Sequence, residues 1–167
     1  ITKYYKKTFG CTVYKLALDI GATCPNRNGK LGYNGCIFCS GAGSGDYSTQ
    51  AYNLDIAKSK LKNKQSGKYI AYFQSFSNTY MPVSRLDKHV KMVLQDKEVC
   101  GISIATRPDC ISQDMVNYLI DLNKSTHLVI ELGLQSVFDK TLKLIERGHT
   151  FKDFLDTFNM LKEQNIK

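Results

Sequence analysis

Predicted strands and helices alternate along this 167-residue chain, and that alternation restricts its fold more than any other feature. After the first strand, successive strands start about 30 residues apart, which is the length of a β-α-β unit. Crossovers of this kind join parallel strands and are right-handed. The sequence therefore predicts an α/β fold built from a parallel βα repeat, with strands at Val13–Leu18, Tyr69–Phe73, Val99–Ala105 and Leu128–Leu134.

Apolar side chains recur at helical spacing between and after these strands. They predict four helices, which contain the segments Leu54–Leu61, Val83–Leu94, Met115–Ile120 and Phe151–Leu161. Ser136 and Asp139 stand three residues apart ahead of a short apolar segment, which predicts a small capped helix. An open four-stranded sheet, a doubly wound fold and part of a barrel all agree with this pattern.

The two faces of the predicted sheet differ in character, because successive side chains of a strand point to opposite sides. In the last strand Glu131 shares a face with Val129, Gly133 and Gln135, whereas leucine and isoleucine fill the other face. The matching face of the two preceding strands carries Ile70, Tyr72, Gln74, Ser103, Ala105 and Arg107. Polar residues collect at the carboxyl ends of the strands, where parallel α/β folds place their sites. We therefore expect a cavity with bound contents at that edge.

Three of the six cysteines, Cys24, Cys36 and Cys39, follow the first strand in a loop rich in glycine, asparagine and proline. Their C-x11-C-x2-C spacing lets one loop wrap around an inorganic centre. Structural zinc takes four ligands, and a cubane iron–sulfur cluster normally takes four cysteines. The loop therefore predicts a metal centre, with zinc and an iron–sulfur cluster that has one open iron as the alternatives.

The other three cysteines have separate settings. Cys11 precedes the first strand, and we expect it to be structural. Cys100 opens an apolar run, which predicts a small buried hydrophobic residue. Cys110 follows a turn, and its role stays open.

Basic residues exceed acidic residues by 23 − 15 = 8. This charge permits a polyanionic partner such as nucleic acid. The lysines are scattered from Lys3 to Lys64, mostly in segments predicted to be solvated, so charge alone does not decide the partner. No apolar run reaches the roughly 20 residues that a membrane span needs. We predict a cytoplasmic protein with no membrane partner.

The cysteine loop resembles the cluster loop of radical S-adenosylmethionine (SAM) enzymes, in which an aromatic residue such as Phe38 commonly precedes the last cysteine. The usual C-x3-C-x2-C spacing is absent, and the longer first gap resembles that of the Elongator catalytic-subunit-like branch. The sequence is most similar to bacterial YhcC/YtqA-type radical SAM proteins. Seven phrases carry the resemblance in order: Cys24–Gly29, Gly43–Tyr47, Tyr72–Gln74, Asn78–Tyr80, Thr106–Cys110, Glu131–Ser136 and Arg147–Thr150.

The resemblance implies a partial (β/α)6 radical SAM barrel, of which this chain supplies about four βα units. The chain begins at Ile1 rather than methionine and ends where a further strand could begin. We therefore expect residues 1–167 to be a radical SAM core domain, truncated at the C terminus and slightly at the N terminus. A parallel edge at Leu128–Leu134 would then need another segment or chain to cover it.

The resemblance also implies two cofactors, a [4Fe-4S] cluster and SAM. Cys24, Cys36 and Cys39 would bind the cluster, and SAM would chelate the open iron. The reduced cluster would cleave SAM to methionine and a 5′-deoxyadenosyl radical, which takes hydrogen from the substrate. An external electron donor of the flavodoxin or ferredoxin type would supply the electron. The Elongator-like relatives imply a tRNA wobble uridine as substrate.

Five residues would contact SAM by this resemblance. Phe38 would lie beside the adenine, and Gln135 and Arg147 match positions that contact SAM in relatives. An arginine suits the methionine carboxylate because its planar fork can pair with both oxygens. Gln74 and Ser75 stand where relatives usually carry a glycine-rich segment that meets the SAM amino group.

Several residues near these phrases keep more than one interpretation. Arg107 could line the cavity or pair with Asp109, and Glu131 could be structural or touch SAM. His149 is predicted to anchor its loop rather than to bind a ligand. Ala105 stands where Elongator-like relatives carry an acidic residue, so no acidic SAM contact is predicted there.

Two other functions share some of these features. A zinc-binding nucleic-acid module would also have a basic charge and a Cys-x2-Cys pair, but it does not explain the βα repeat. An electron-transfer iron–sulfur protein would need a fourth cysteine, for which Cys11 is the candidate.

Overall fold

The computed structural model describes residues 2–61 and 67–167, so Ile1, Lys62 and Lys64 lie outside the described residues. Its centre is a parallel five-stranded sheet with the order β2-β1-β3-β4-β5. The strands are β1 Val13–Asp19, β2 Thr49–Gln50, β3 Lys68–Phe73, β4 Val99–Thr106 and β5 His127–Leu132. The predicted α/β class and parallel βα repeat are confirmed.

Among the described residues, five of the six helices lie at predicted places, and the first helix is additional. They are α1 Thr2–Phe9, α2 Leu54–Ser59, α3 Val83–Leu94, α4 Gln113–Ser125, α5 Asp139–Leu144 and α6 Phe151–Glu163, with a 3-10 turn at Pro108–Cys110. Strands β1, β3, β4 and β5 each lead into a helix, which gives the four expected βα units. None of the helices in the described ranges is both long and apolar enough to span a membrane.

The two unlike faces of the sheet are confirmed by burial. One face packs against the helices and consists of Leu16, Leu18, Ala71, Phe73, Ile102, Ile104, Leu128 and Ile130, all of them buried. In the strand register Tyr72 lies beside Ser103, and Ala105 lies beside Glu131, so these four side chains share the opposite face. This face is the more polar side of the sheet, opposite the layer that packs against the helices.

Two elements were not predicted. Helix α1 escaped prediction because its sequence has no wide apolar stripe. In the structure only Tyr5 is buried along it. Strand β2 is two residues long and pairs only with the end of β1. Strand β5 also ends at Leu132, two residues earlier than predicted, although the Gly133 N–H still donates to the Thr106 carbonyl, 2.9 Å away.

Helix starts agree with the capping chemistry in two cases and differ in one. Ser112 caps α4 by accepting from the Met115 N–H, and Thr150 caps α6 through a reciprocal capping box. Helix α5 exists, but the predicted cap is wrong. The Ser136 hydroxyl accepts from the Phe138 N–H, and the Asp139 carboxylate accepts from the Phe151 N–H, so neither side chain caps α5. Asp139 instead ties α5 to the start of α6.

The outer edge of β5 carries one backbone contact from the end of the chain. The Ile130 N–H donates to the Lys167 carbonyl at 2.6 Å, and Ile166 is buried beside it. The predicted exposed edge is therefore covered at this point by the last residues of the chain itself.

A histidine at the amino edge of the sheet predicts a dependence of stability on pH. His127 packs between Tyr4, Tyr5 and Phe9 of α1, and its Nε2 has no hydrogen-bond partner among the described residues. Burial, with a smaller contribution from Lys167, lowers the pKa of His127. The unfolded chain, with a histidine pKa of about 6.5, therefore binds the proton first as the pH falls.

We expect the free energy of unfolding to fall as the pH drops below about 6.5, and His127→Phe to lose part of this dependence. Phenylalanine keeps the ring packing and removes the titrating group. Urea unfolding of both proteins at pH 7.5 and 5.5 measures the difference. Equal pH dependence in the two proteins would contradict the prediction. Burial also lowers the pKa values of His89 and His149, so a remainder is expected.

Candidate functional site

A cavity of about 290 Å³ opens at the carboxyl edge of the sheet. Residues from the loop after β1 and from the ends of β3, β4 and β5 line it. Seven of the eight residues predicted for the site line this cavity: Cys24, Cys36, Phe38, Cys39, Gln74, Gln135 and Arg147. The structure therefore brings together residues that the sequence places more than 100 positions apart.

The cysteine loop folds through tight backbone turns. The Arg27 N–H donates to the Cys24 carbonyl at 2.8 Å, and the Cys39 N–H donates to the Cys36 carbonyl at 2.9 Å. Gly35 has a φ of +78°, and a Cβ there would lie 2.5 Å from Nε of Arg27. The Arg27 guanidinium donates to the carbonyls of Cys39 and Ser40. Arg27 and Gly35 thus fix the path of the loop just before the second cysteine and at the third.

Buried N–H donors face two of the three sulfur atoms. Nη1 of Arg107 lies 3.6 Å from Sγ of Cys24. Sγ of Cys36 has two such neighbours, Nδ2 of Asn26 at 3.4 Å and Nη1 of Arg147 at 3.7 Å. Hydrogen bonds from ionised donors favour an anionic acceptor. The donor set therefore suits cysteines in their thiolate form.

The guanidinium group of Arg147 lies inside the protein, and only 8% of the residue is exposed. Nη2 donates to the Gly133 carbonyl, and Nε donates to Nε2 of His149 at 3.0 Å. His149 then carries its proton on Nδ1, which donates to the Thr150 carbonyl at 3.1 Å. His149 is thus a loop anchor, as predicted. Among the described residues no carboxylate lies within salt-bridge distance of Arg147.

Arg107 takes both of the roles that the sequence left open, lining the cavity and pairing with Asp109. It lines the cavity, and it pairs through both ends of its fork with the Asp109 carboxylate, at 2.9 and 2.7 Å. The net pKa of Arg107 is raised. Burial acts to lower this pKa, but the hydrogen bonds from Arg107 to Asp109 and the charge of Asp109 outweigh burial. Its third nitrogen donates to Oδ1 of Asn26 at 2.8 Å.

The predicted SAM contacts occupy different settings. Phe38 is half exposed at the rim, and Gln135 is exposed in a left-handed turn with a φ of +74°. The Gln74 amide donates to the Ser44 carbonyl at 2.8 Å. Ser75 does not line the cavity. It is buried and shares a 3.0 Å hydrogen bond with the Ser48 hydroxyl.

The interior face of the sheet contains an ion pair that the sequence did not predict, and its carboxylate, Glu131, lines the cavity. Lys15 pairs with Glu131, which also accepts from the Ser103 hydroxyl at 2.7 Å. The net pKa of Glu131 is lowered. Burial acts to raise this pKa, but the hydrogen bonds from Lys15 and Ser103 outweigh burial. Burial and the Glu131 carboxylate raise the pKa of Tyr72 to about 12. A lysine in an otherwise apolar strand was the available signal for Lys15.

Two of the remaining cysteines, Cys110 and Cys11, do not belong to the three-cysteine group. Cys110 is buried, and burial followed by the charge of Asp109 raises its pKa to about 12. Cys11 precedes the amino end of β1, whereas the cysteine loop follows the carboxyl end. The seven residues of β1 span about 20 Å at the rise of a strand. Cys11 therefore cannot complete a four-cysteine set with the loop.

The donor chemistry of the site fits a thiolate-bound iron–sulfur cluster. Three cysteines of one loop share a cavity with two buried guanidinium groups, and that cavity has no histidine in its lining. Within the described ranges no three metal-binding side chains already stand close enough to hold an ion. The three cysteines, with N–H donors at two of their sulfurs, are nevertheless the kind of ligand set that an iron–sulfur cluster takes.

Two bacterial proteins are similar over nearly the whole chain. YtqA of Bacillus subtilis (strain 168) is 44% identical over 98% of this chain and 53% of its own length. YhcC of Escherichia coli (strain K12) is 32% identical over 96% of this chain and 53% of its own length. The chain thus spans about half the length of these relatives.

An archaeal enzyme is similar over a shorter stretch. The tRNA uridine(34) acetyltransferase of Methanocaldococcus infernus is 35% identical over 67 residues, which are 40% of this chain and 12% of that protein.

A solved structure shares the fold. The archaeal Methanocaldococcus infernus Elp3 with an N-terminal deletion (1–46) superposes with a TM-score of 0.61 and 19% identity, covering 93% of this chain and 36% of that one. The sequence pattern of the radical SAM superfamily matches residues 21–167, which include the cysteine loop and every strand after β1. This chain therefore belongs to the radical SAM superfamily.

Proposed function

We propose that the chain is the core of a radical SAM enzyme that holds a [4Fe-4S] cluster on Cys24, Cys36 and Cys39. The observation that carries the proposal is that three cysteines of one loop line a single cavity, into which two buried arginines direct N–H donors. Membership of the radical SAM superfamily supports the same assignment. When bound, the cluster and SAM supply a 5′-deoxyadenosyl radical for hydrogen abstraction from a substrate.

The chain's own residues would bind and orient these groups. Phe38 at the rim would lie beside the adenine, and Gln135, three residues after the end of β5, would offer its amide. Arg147 carries a positive charge with no carboxylate partner among the described residues, which suits the methionine carboxylate of SAM. Such a contact would share a donor that faces Cys36 or Gly133 in this structure. These contacts remain predictions.

The proposed substrate is a tRNA base, with the wobble uridine as the first candidate. Support comes from the name of the archaeal relative, a tRNA uridine(34) acetyltransferase, and from the net charge of +8. We further propose a cytoplasmic location and an external reductant of the flavodoxin or ferredoxin type.

Anaerobic reconstitution with iron and sulfide tests the cluster. We expect a brown protein whose reduced EPR signal changes when SAM is added, because SAM would occupy the open iron. A colourless protein that holds one zinc ion would refute the proposal and favour the nucleic-acid module. A cluster whose signal is unchanged by SAM would contradict the open iron.

Binding of tRNA over a salt series tests the substrate class. We expect affinity to fall steeply with salt, because lysine–phosphate contacts release counterions. Lys30→Glu with Lys143→Glu, two exposed changes at the carboxyl edge, should weaken binding and flatten the salt slope by about one for each lost contact. The matched control is Lys6→Glu with Lys7→Glu on α1 at the amino edge. Equal losses in both pairs, or salt-independent binding, would refute tRNA recognition at this site.

A further inference from the structure

The most deeply buried charged side chain of the described residues stands behind the cysteine loop. Arg107 is 2% exposed, and every one of its nitrogens has a partner. Asp109 takes Nε and Nη2, and this two-point fork fixes the plane of the guanidinium. Nη1 is thereby directed at Oδ1 of Asn26 and at Sγ of Cys24.

Asn26 continues the same chain of hydrogen bonds to the second cysteine. Its Oδ1 accepts from Arg107, which orients the amide so that Nδ2 faces Sγ of Cys36 at 3.4 Å. Nδ2 also donates to the Glu146 carbonyl at 2.5 Å, and Asn26 is 5% exposed. One relay, Asp109–Arg107–Asn26, therefore places an N–H donor on two of the three loop sulfurs.

We propose that Asp109, Arg107 and Asn26 are positioning residues that set the reduction potential of the cluster through N–H donors to the sulfurs of Cys24 and Cys36. This inference rests on the proposed cluster. Reduction adds an electron to a centre that is already anionic. Hydrogen bonds to the sulfurs and nearby charge are among the factors that determine cluster potentials, and outer-shell partners fix the orientation of the ligands. Donors at these sulfurs stabilise the reduced form more than the oxidised form.

The test is a potentiometric titration, followed by EPR, of the anaerobically reconstituted protein and its Arg107→Gln variant. Loss of the charged donor should lower the equilibrium constant for reduction about tenfold, which is the low end for the loss of a hydrogen bond to a charged group. For a one-electron couple, tenfold is a shift of about 59 mV towards more negative potential. Arg85→Gln is the control, because it removes the same charge from an exposed arginine on α3, whose Nη2 donates to the Gly21 carbonyl.

Arg107→Lys keeps the charge but has no fork for Asp109 and one compact ammonium in place of the planar guanidinium. We expect a negative shift smaller than that of Arg107→Gln, and this variant decides the question if Arg107→Gln does not fold. Clusters in the Arg107 variants with the wild-type potential would overturn the inference and leave the proposed function standing. A shift as large in Arg85→Gln would also overturn it, because the effect would then be one of net charge. A wild-type protein that assembles no cluster would overturn the proposed function itself.

Discussion

Alanine in place of Cys36 is expected to give a folded chain whose iron and sulfide contents stay at background after anaerobic reconstitution. Two thiolates would not hold the cluster that we propose the loop binds with three, and the other cysteines of the described residues lie outside this cavity. The apo fold should survive, because the change removes only one sulfur atom from a buried site, at a cost of about 1 kcal/mol. Iron and sulfide assays, visible absorption and thermal unfolding measure both effects. The same loss is expected for Cys24→Ala and Cys39→Ala.

The matched controls are Cys11→Ala and Cys100→Ala, which remove thiols at the amino ends of β1 and β4. Both variants should assemble the cluster fully. Cluster loss in Cys11→Ala would favour a four-cysteine electron-transfer protein, and a full cluster in Cys36→Ala would remove the proposed ligand set.

Truncation of Phe73 should have the largest effect on stability. Phe73 is completely buried on the face of β3 that packs against the helices, and Gln74 and Ser75 follow it directly. Phe73→Ala leaves a cavity in a close-packed layer, and such changes cost about 3–5 kcal/mol. Against a typical total of about 5–15 kcal/mol, this is a large share of the stability of a domain. Urea unfolding at pH 7.5 measures it.

The control for this prediction is Phe138→Ala, which removes the same ring from a side chain that is 69% exposed. A surface change of this kind should alter the free energy of unfolding by less than about 0.5 kcal/mol. Similar losses in the two variants would show that Phe73 does not lie in the main core.

Local sequence patterns predicted the sheet because they act within one strand or helix. Alternation along β4 and β5 distinguished the helix-packed face from the polar face, and the burial of Ile102, Ile104, Leu128 and Ile130 confirms it. The edge elements escaped prediction for the same reason. Neither element has a periodic apolar pattern of its own that could predict it. Helix α1 buries only Tyr5, and β2 is held by two residue pairs with β1.

The candidate site divides in a similar way. The spacing of Cys24, Cys36 and Cys39 within one loop marked the site, because these residues are near one another along the chain. The side chains that orient them come from far away. Arg107 reaches Asn26 across 81 residues, and Arg147 reaches Cys36 across 111. Sequence spacing carries no information about such contacts.

By itself the sequence determined the parallel βα repeat, the polar interior face and the three-cysteine loop at the carboxyl edge. These features follow from periodicity and spacing, which are local. Only the tertiary structure decided that Arg107 both pairs with Asp109 and faces Cys24, that Lys15 neutralises Glu131, and that Ser75 turns away from the cavity towards Ser48. Each of these depends on which strand end lies beside which loop, and the parallel strand order sets that arrangement.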